Sequence, residues 1–245
     1  MKTLIWDIEN SPVLAWTWGL WDQNIGINMV VKPMETLCFA ARWYEDPKML
    51  FYSSYHDGKD AMIQAAHALL DEADAVISWN GIRHDSPHLH REFLQADMPP
   101  PSPYQDIDLL STSRKRFKFE SNKLDYVAQK LGLGKKAEHE GFDLWLKCMD
   151  GDEAAWGRMK RYNIQDVRLT TAVYDKFKPW IKTHPSYGSH NAEDSCPNCG
   201  SKKLIMEGLA YTQTGQYQRW HCADCGRWAR STQRTAKTNI VGLNS

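Results

Sequence analysis

Leu4 to Pro12 reads LIWDIENSP, an apolar run that carries two carboxylates, Asp7 and Glu9, one residue apart. In a β-strand alternate residues share a face. Leu4, Trp6 and Ile8 therefore point one way, and Ile5, Asp7 and Glu9 the other. Two carboxylates within a few ångströms repel unless a proton or a cation lies between them. Hard divalent cations such as Mg²⁺ and Mn²⁺ prefer oxygen ligands. Acids at a sheet margin are also common without any ion, so the pair needs partners elsewhere in the chain.

Two stretches supply them. In ISWNGIRHDSPHL (residues 77–89) a buried strand, Ala75 to Trp79, ends in Asn80-Gly81, and Asp85 follows at the start of the next helix. Ligands of open α/β sheets bind in the crevice at strand ends; capping the helix is the competing role for Asp85. In YNIQDV (residues 162–167) Tyr162 and Asp166 are four apart and share one helix face. Tyr104 and Asp108 repeat that spacing, but after a proline run and outside a long helix, and are read as coincidence.

Around these points the chain reads as α/β. Strands are expected at Thr3–Glu9 and within residues 24–33, 35–44, 48–54 and 74–79. Helices are expected over Lys59–Asp71, from Ser86-Pro87 onward, and over most of the chain from the proline run to Trp180, including a long one from Asp152 to Lys178. Residues 182–195 (KTHPSYGSHNAEDS) are polar and turn-rich, and read as a linker. The expected organisation is a domain over 1–181, that linker, and a small module with a tail over 196–245.

The chain has 245 residues, 42% of them hydrophobic, and a formal charge of zero. Its charges are uneven. Residues 111–136 hold eight bases against two acids, and residues 196–245 hold seven against two. Such zones suit a local polyanion or a solvated surface. No apolar run approaches the ~20 residues of a membrane span and no signal peptide is visible, so a cytoplasmic setting is expected, bacterial or in a phage-infected host. Cys38 and Cys148 stand alone in apolar surroundings. Cys196-x-x-Cys199 and Cys222-x-x-Cys225 flank a strand–turn–strand reading and have the spacing of a structural Zn²⁺ site; the module resembles the zinc ribbons of nucleic-acid enzymes. Disulfides are the alternative, and His221 could compete as a ligand. Arg219, Trp220, Arg227, Trp228 and Arg230 mix cations with aromatics, a pattern for stacking bases, or else for docking a protein.

Taken together, WDIEN, NGIRHD and YNIQDV resemble the three motifs of the DEDD superfamily of 3′→5′ exonucleases in its tyrosine-bearing branch. They are most similar to the proofreading domain of family B DNA polymerases. SNKLDYVAQKLGLGKK (residues 121–136) resembles the stretch between the second and third motifs. The resemblance covers roughly residues 1–180 and implies a ribonuclease H-like mixed sheet flanked by helices. It implies two Mg²⁺ or Mn²⁺ held by Asp7, Glu9, Asp85 and Asp166, with Tyr162 orienting the attacking water and Asn80 contacting substrate or bracing its loop. Lys123 and residues 113–118 (SRKRFK) would meet phosphates, and Trp220 and Trp228 would meet bases. DNA with a free 3′ end is the implied substrate, RNA being admitted too, with a replication or repair protein as a further partner. His84 stands where the family carries an aromatic residue. Two rivals remain: an inactive nuclease-like fold that only binds nucleic acid, and an all-helical HD phosphohydrolase built on His84-Asp85 with His67, His88 and His90.

Overall fold

The computed structural model describes residues 1–191 and 194–240. The chain divides into two compact units, Lys2–Asp175 and a second that begins at Lys176. In chain order the first unit runs β1 (Thr3–Asn10), β2 (Leu14–Ala15), β3 (Val30–Lys32), β4 (Thr36–Trp43), β5 (Leu50–Ser53), α1 (Lys59–Glu72), β6 (Ala75–Ser78), α2 (Asp85–Gln95) and β7 (Gln105–Asp108). It continues through α3 (Leu109–Arg116), α4 (Leu124–Lys130), α5 (Phe142–Met149) and α6 (Glu153–Phe177), whose last two residues fall in the second unit. Five strands form one mixed sheet in the order β5-β4-β1-β6-β7. β1 lies at its centre, antiparallel to β4 and parallel to β6.

The alternation in β1 sorts the two faces of this sheet. Leu4, Trp6 and Ile8 are buried with Met62, Ile63, Ala66 and Leu70 of α1 and with Leu89 and Phe93 of α2. On the other face Asp7 and Glu9 stand opposite Ala40 and Cys38 in the β1–β4 ladder. These small neighbours leave room for α5 and α6, which bring Leu144, Cys148, Ala155, Trp156, Met159 and Tyr162 against Leu37 and Cys38. α6 buries Ala155, Met159, Tyr162, Asp166, Leu169, Val173 and Phe177, the three-and-four spacing of one helix face. Asp166 thus occupies a core-facing position in an otherwise largely apolar stripe.

Three readings are corrected. Residues 24–33 are not one strand: a single 3-10 turn at Ile27–Met29 precedes the short β3, and Ile25 and Ile27 are exposed. β-propensity without a packing partner does not make a strand. The chain after the proline run contains β7, which extends the sheet beside β6. α2 begins at Asp85 with His84 in the cap position, so neither Asp85 nor Ser86 caps it. The Asp85 carboxylate instead accepts the Ile8 N–H at 3.2 Å, beyond the point where the β1–β6 ladder stops at Ile5 and Ile77.

The Asn80-Gly81 turn delivers Asp85 to that place. Asn80 takes a left-handed φ of 73°, its N–H donates to Asp108 Oδ1 at 3.1 Å, and Ser86 N–H donates to the Gly81 carbonyl at 2.9 Å. A Cβ on Gly81 would lie 2.2 Å from Ser78 Oγ, so the turn closes only around glycine.

The second unit holds α7 (Tyr187–Asn191) and the strands β8 (Leu204–Thr212), β9 (Gly215–Cys222) and β10 (Trp228–Lys237), which form a sheet in the order β10-β9-β8. α7 lies inside the stretch read as a linker; one helical turn is too short to show a period. Residues 192–193 of that linker and 241–245 of the tail lie outside the described residues. Among the described residues no helix is long and apolar enough to cross a membrane.

The close approach at Gly81 generates a test. Gly81→Ala is expected to destabilise by about 1–3 kcal/mol, the usual cost of overpacking, and Ser78→Ala in the same chain to recover part of the loss. Additive melting-temperature changes in the double variant would show that the two sites do not touch.

Candidate metal centre and cysteine cluster

One carboxylate oxygen each from Asp7, Glu9 and Asp166 lies within 4.8 Å of the other two. β1 supplies the first two and α6 the third. Asn163 ties the elements together: its Nδ2 donates to Asp7 Oδ2 at 2.7 Å and to the Asp7 carbonyl at 3.1 Å. Asp85 approaches through its contact with Ile8 N–H and stands outside this trio. It is near enough to raise the proton affinity of Asp7 and Glu9.

Burial is the first cause of the unusual acidity here, and mutual repulsion the second. Asp7 is pushed well above the ordinary carboxylate range by burial, then by Glu9, Asp85 and Asp166. Glu9 rises to about 8, through burial and then Asp166, with Lys136 and Trp145 acting the other way. Asp166 is raised by burial and held down by Lys136.

In the sequence Lys136 is one of the eight bases of residues 111–136 and the last residue of the SNKLDYVAQKLGLGKK stretch. Its Nζ donates to Asp166 Oδ2 at 2.5 Å and to the Tyr162 hydroxyl at 3.1 Å. Burial alone would lower its pKa, but the charge of Asp166 and the hydrogen bonds to Asp166 and Tyr162 more than offset that and raise it. Tyr162 is raised as well, by burial and then by Asp166 and Glu9, so its phenol keeps its proton. His139 and Trp145 close over Tyr162, with ring centroids 4.6 and 5.9 Å away. Neither residue carries a signal in the sequence beyond being aromatic or titratable.

The donor set suits a hard divalent ion. It is all oxygen, and Asp166 Oδ1 is buried with no hydrogen-bond partner, as expected of an atom placed to meet a cation.

The remaining predicted residues sit elsewhere. Asn80 braces its loop through its backbone, as above. Lys123 is exposed at the cap of α4. Arg114, Lys115 and Arg116 lie in the last turn of α3, where cations favour the helix dipole. Asp108 accepts the Ser111 N–H and caps α3; it has no place in the acidic trio. His67 bonds the Pro99 carbonyl and packs on Phe93. The mixed sheet excludes the all-helical phosphohydrolase.

In the second unit the sulfurs of Cys196, Cys199, Cys222 and Cys225 form one cluster. Cys196 and Cys225 are 3.6 Å apart and Cys199 and Cys222 3.7 Å. A disulfide needs about 2.05 Å, whereas a tetrahedron with Zn–S bonds of about 2.3 Å has edges of about 3.8 Å. Gly200 and Gly226 take left-handed φ after each knuckle, and their N–H groups return to the carbonyls of Cys196 and Cys222. The cluster is a candidate zinc site, with His221 outside it.

Register divides the aromatics of the three-stranded sheet between its faces. Trp228 pairs with His221 and Arg230 with Arg219. Arg219 lies 4.6 Å over the Trp228 ring, His221 stacks on it at 4.7 Å, and Arg230 lies 3.9 Å over Tyr217. Arg234 donates to the Tyr217 hydroxyl at 3.1 Å. Trp220 pairs with Met206 and Ala229 and points to the other face. Trp220 and Trp228, both read from the sequence as base contacts, thus lie on opposite faces of this sheet.

A mixed sheet with an acid pair on its central strand and a third acid on the covering helix defines a class, and comparison with known proteins agrees with it. Residues 32–178 match the family model of the RNase H superfamily, and the chain belongs to that superfamily. Among solved structures, the family B DNA polymerase of the hyperthermophilic archaeon Pyrobaculum calidifontis is similar, with a TM-score of 0.58 and 14% identity. The similarity covers 87% of this chain and 31% of the polymerase, so the chain spans about a third of that protein. No curated protein matches.

The raised acids make a pH prediction. Without metal, Asp7, Glu9 and Asp166 bind protons more tightly folded than unfolded, so their contribution favours the fold at low pH. It is lost as pH rises from the ordinary carboxylate range toward the folded value of about 8 for Glu9. In EDTA the melting temperature should fall between about pH 5 and about pH 8, and Asp7→Asn should flatten the fall. Mn²⁺ affinity should climb across the same window as the ion displaces protons. A pH-independent affinity, by calorimetry, would contradict the assignment.

Proposed function

We propose that this chain is a divalent-metal-dependent 3′→5′ exonuclease that releases nucleoside monophosphates from single-stranded 3′ ends of DNA, with RNA admitted. The observation that carries the reading is the convergence of Asp7, Glu9 and Asp166 within 4.8 Å, with Asp85 behind them and a protonated tyrosine beside them. Membership of the superfamily and the likeness to a polymerase support it.

Two bound Mg²⁺ or Mn²⁺ would supply an activated water, charge neutralisation in the phosphorane-like transition state, and stabilisation of the leaving 3′-oxygen. Asp7, Glu9 and Asp166 would hold one ion, and Asp7 with Asp85, directly or through water, the other. Tyr162 stays protonated and so positions the water by hydrogen bonding rather than taking its proton. Asn163 fixes the Asp7 carboxylate against α6. Lys136, which now bonds Asp166, would be free to offer its ammonium group to the scissile phosphate once an ion neutralised that carboxylate.

The ribbon's work is proposed to be tethering. Tyr217, Arg219, His221, Trp228, Arg230 and Arg234 make one cationic and aromatic face, suited to phosphates and bases together. The proposed organisation remains a nuclease domain over 1–181, a connector over 182–195, and a zinc ribbon with tail from 196, with a replication or repair protein as a further partner.

End-labelled single-stranded DNA and RNA, blocked at either end, test the chemistry with Mg²⁺, Mn²⁺ or EDTA. Mononucleotides should come from free 3′ ends only, and none with chelator. Asp7→Ala should abolish release, and Tyr162→Phe should be milder. Metal-independent binding with no turnover under any of these conditions would instead favour a fold that only binds. For the ribbon, Arg219→Ala with Arg230→Ala should weaken DNA binding and reduce the salt slope by roughly 1.4, about 0.7 per lost phosphate contact on a single strand. Trp220→Phe should leave that slope unchanged. Unchanged DNA affinity in the arginine variant would point to a protein-docking module instead.

A further inference from the structure

The chain between β1 and β4 forms an arm rooted beside the acids. Ser11 N–H donates to the Glu35 carbonyl at 2.8 Å, and Glu35 N–H returns to Ser11 Oγ at 2.9 Å. Thr36 Oγ1 reaches Asn10 Oδ1 at 3.1 Å. This neck lies directly after Glu9, where a register shift parts β1 from β4. Beyond it β2 and β3 pair briefly, and the tip carries Trp16, Trp18 and Trp21, which are 76, 98 and 82% exposed. Leu20 and Ile27 are exposed beside them.

Three bare indoles within six residues are not what a self-packed loop does with its aromatics; contiguous exposed apolar surface marks a contact surface. From Ser11 to Val31 the only charged residue is Asp22, so the surface is not built to attract phosphate or an oppositely charged protein. Its chemistry is flat, apolar and π-rich, which matches the faces of unpaired bases. At ~3.3 Å per residue Trp16 lies within about 20 Å of Asn10, a span of a few nucleotides of single strand. A strand with its 3′ end at the acids must leave its duplex, and its terminal bases lose their stacking partners at the place where the arm begins.

We propose that the arm from Ser11 to Glu35 is a stacking platform for the last unpaired bases of the strand whose 3′ end lies at Asp7, Glu9 and Asp166, an inference that rests on the nuclease reading above. The arm grips bases and leaves the phosphate to the acidic centre. It makes the enzyme prefer strands of several nucleotides over isolated nucleotide esters, without preference for sequence.

The test compares the wild type with a triple variant carrying Trp16→Leu, Trp18→Leu and Trp21→Leu, which keeps apolar bulk and removes the rings. A second triple variant to alanine guards against aggregation of the first. With Mn²⁺, KM for a 12-nucleotide DNA single strand should rise at least tenfold in both variants, since one stacked base is worth roughly five- to 150-fold. KM for thymidine 5′-p-nitrophenyl phosphate should change less than twofold, with kcat unaltered. In EDTA, affinity for the same DNA should fall by a matching factor. Unchanged affinity, an equal loss on the small ester, or full retention by the leucine variant would overturn the proposal. So would a wild-type dimer that the leucine variant breaks, which would make the arm an interface between two copies. If the wild type hydrolyses neither substrate, the nuclease reading fails alone, and the affinity in EDTA still decides the arm.

Discussion

Repulsion among carboxylates in a recessed site governs the first unit. Asp7, Glu9 and Asp166 are held at separations where each makes the others harder to ionise. A fold built for stability alone would not place them so. The metal-free chain meets this repulsion in two ways: with protons, which the raised pKa values of Asp7, Glu9 and Asp166 hold in place, and with the Lys136 ammonium on Asp166. The first fades as pH rises toward about 8, the folded value of Glu9, and the second persists through that range. The structure must therefore keep α6 pressed to β1 against its own electrostatics. The Asn163 contact to both the side chain and the backbone of Asp7 and the apolar cluster around Trp156 and Met159 hold it there.

Much of this was legible in the sequence because it follows from periodicity. The alternation Leu4, Trp6, Ile8 against Asp7, Glu9 fixes which side of β1 meets α1 and α2, and so which side remains for chemistry. The α6 period places Tyr162 and Asp166 on the buried face, where a carboxylate stands out among apolar neighbours. The paired cysteines carry their geometry in their spacing. What was not legible depends on contacts between segments distant in the chain. Taken alone, Asp85 reads as either a ligand or a helix cap; only the end of the β1–β6 ladder, which leaves Ile8 N–H to be satisfied, shows where its carboxylate goes. Lys136 looked like one of a run of surface bases because nothing local says that its Nζ reaches α6. Trp220 and Trp228 looked alike because a sequence does not show which face a residue takes after the hairpin turns back.

The exposed arm illustrates the same limit from the other side. Residues 24–33 have the β-branched content of a strand, and β-propensity read alone makes them one. The strand does not form along that length because no sheet edge receives it, and its apolar residues stay in solvent with the tryptophans. A local propensity that the tertiary structure leaves unsatisfied is itself informative, since natural sequences tend to agree across levels except where a site needs otherwise. The arm's root at Glu9 gives that exception a location.

Charge balance connects the metal-free and the working states. Asp7, Glu9, Asp85 and Asp166 bring four negative charges when ionised, and two divalent ions bring four positive ones. Under the proposed function, loading the site therefore removes the need for protons on the acids and for Lys136 on Asp166. The ammonium becomes a surplus positive charge at the rim of a neutralised centre, and a phosphodiester carries one negative charge to meet it. The contact that quiets the empty site is thereby turned toward substrate once ions arrive, which makes strand binding and metal binding mutually favourable. The coupling should weaken in a Lys136→Met chain, where a non-catalytic divalent ion such as Ca²⁺ would raise DNA affinity by a smaller factor than in the wild type.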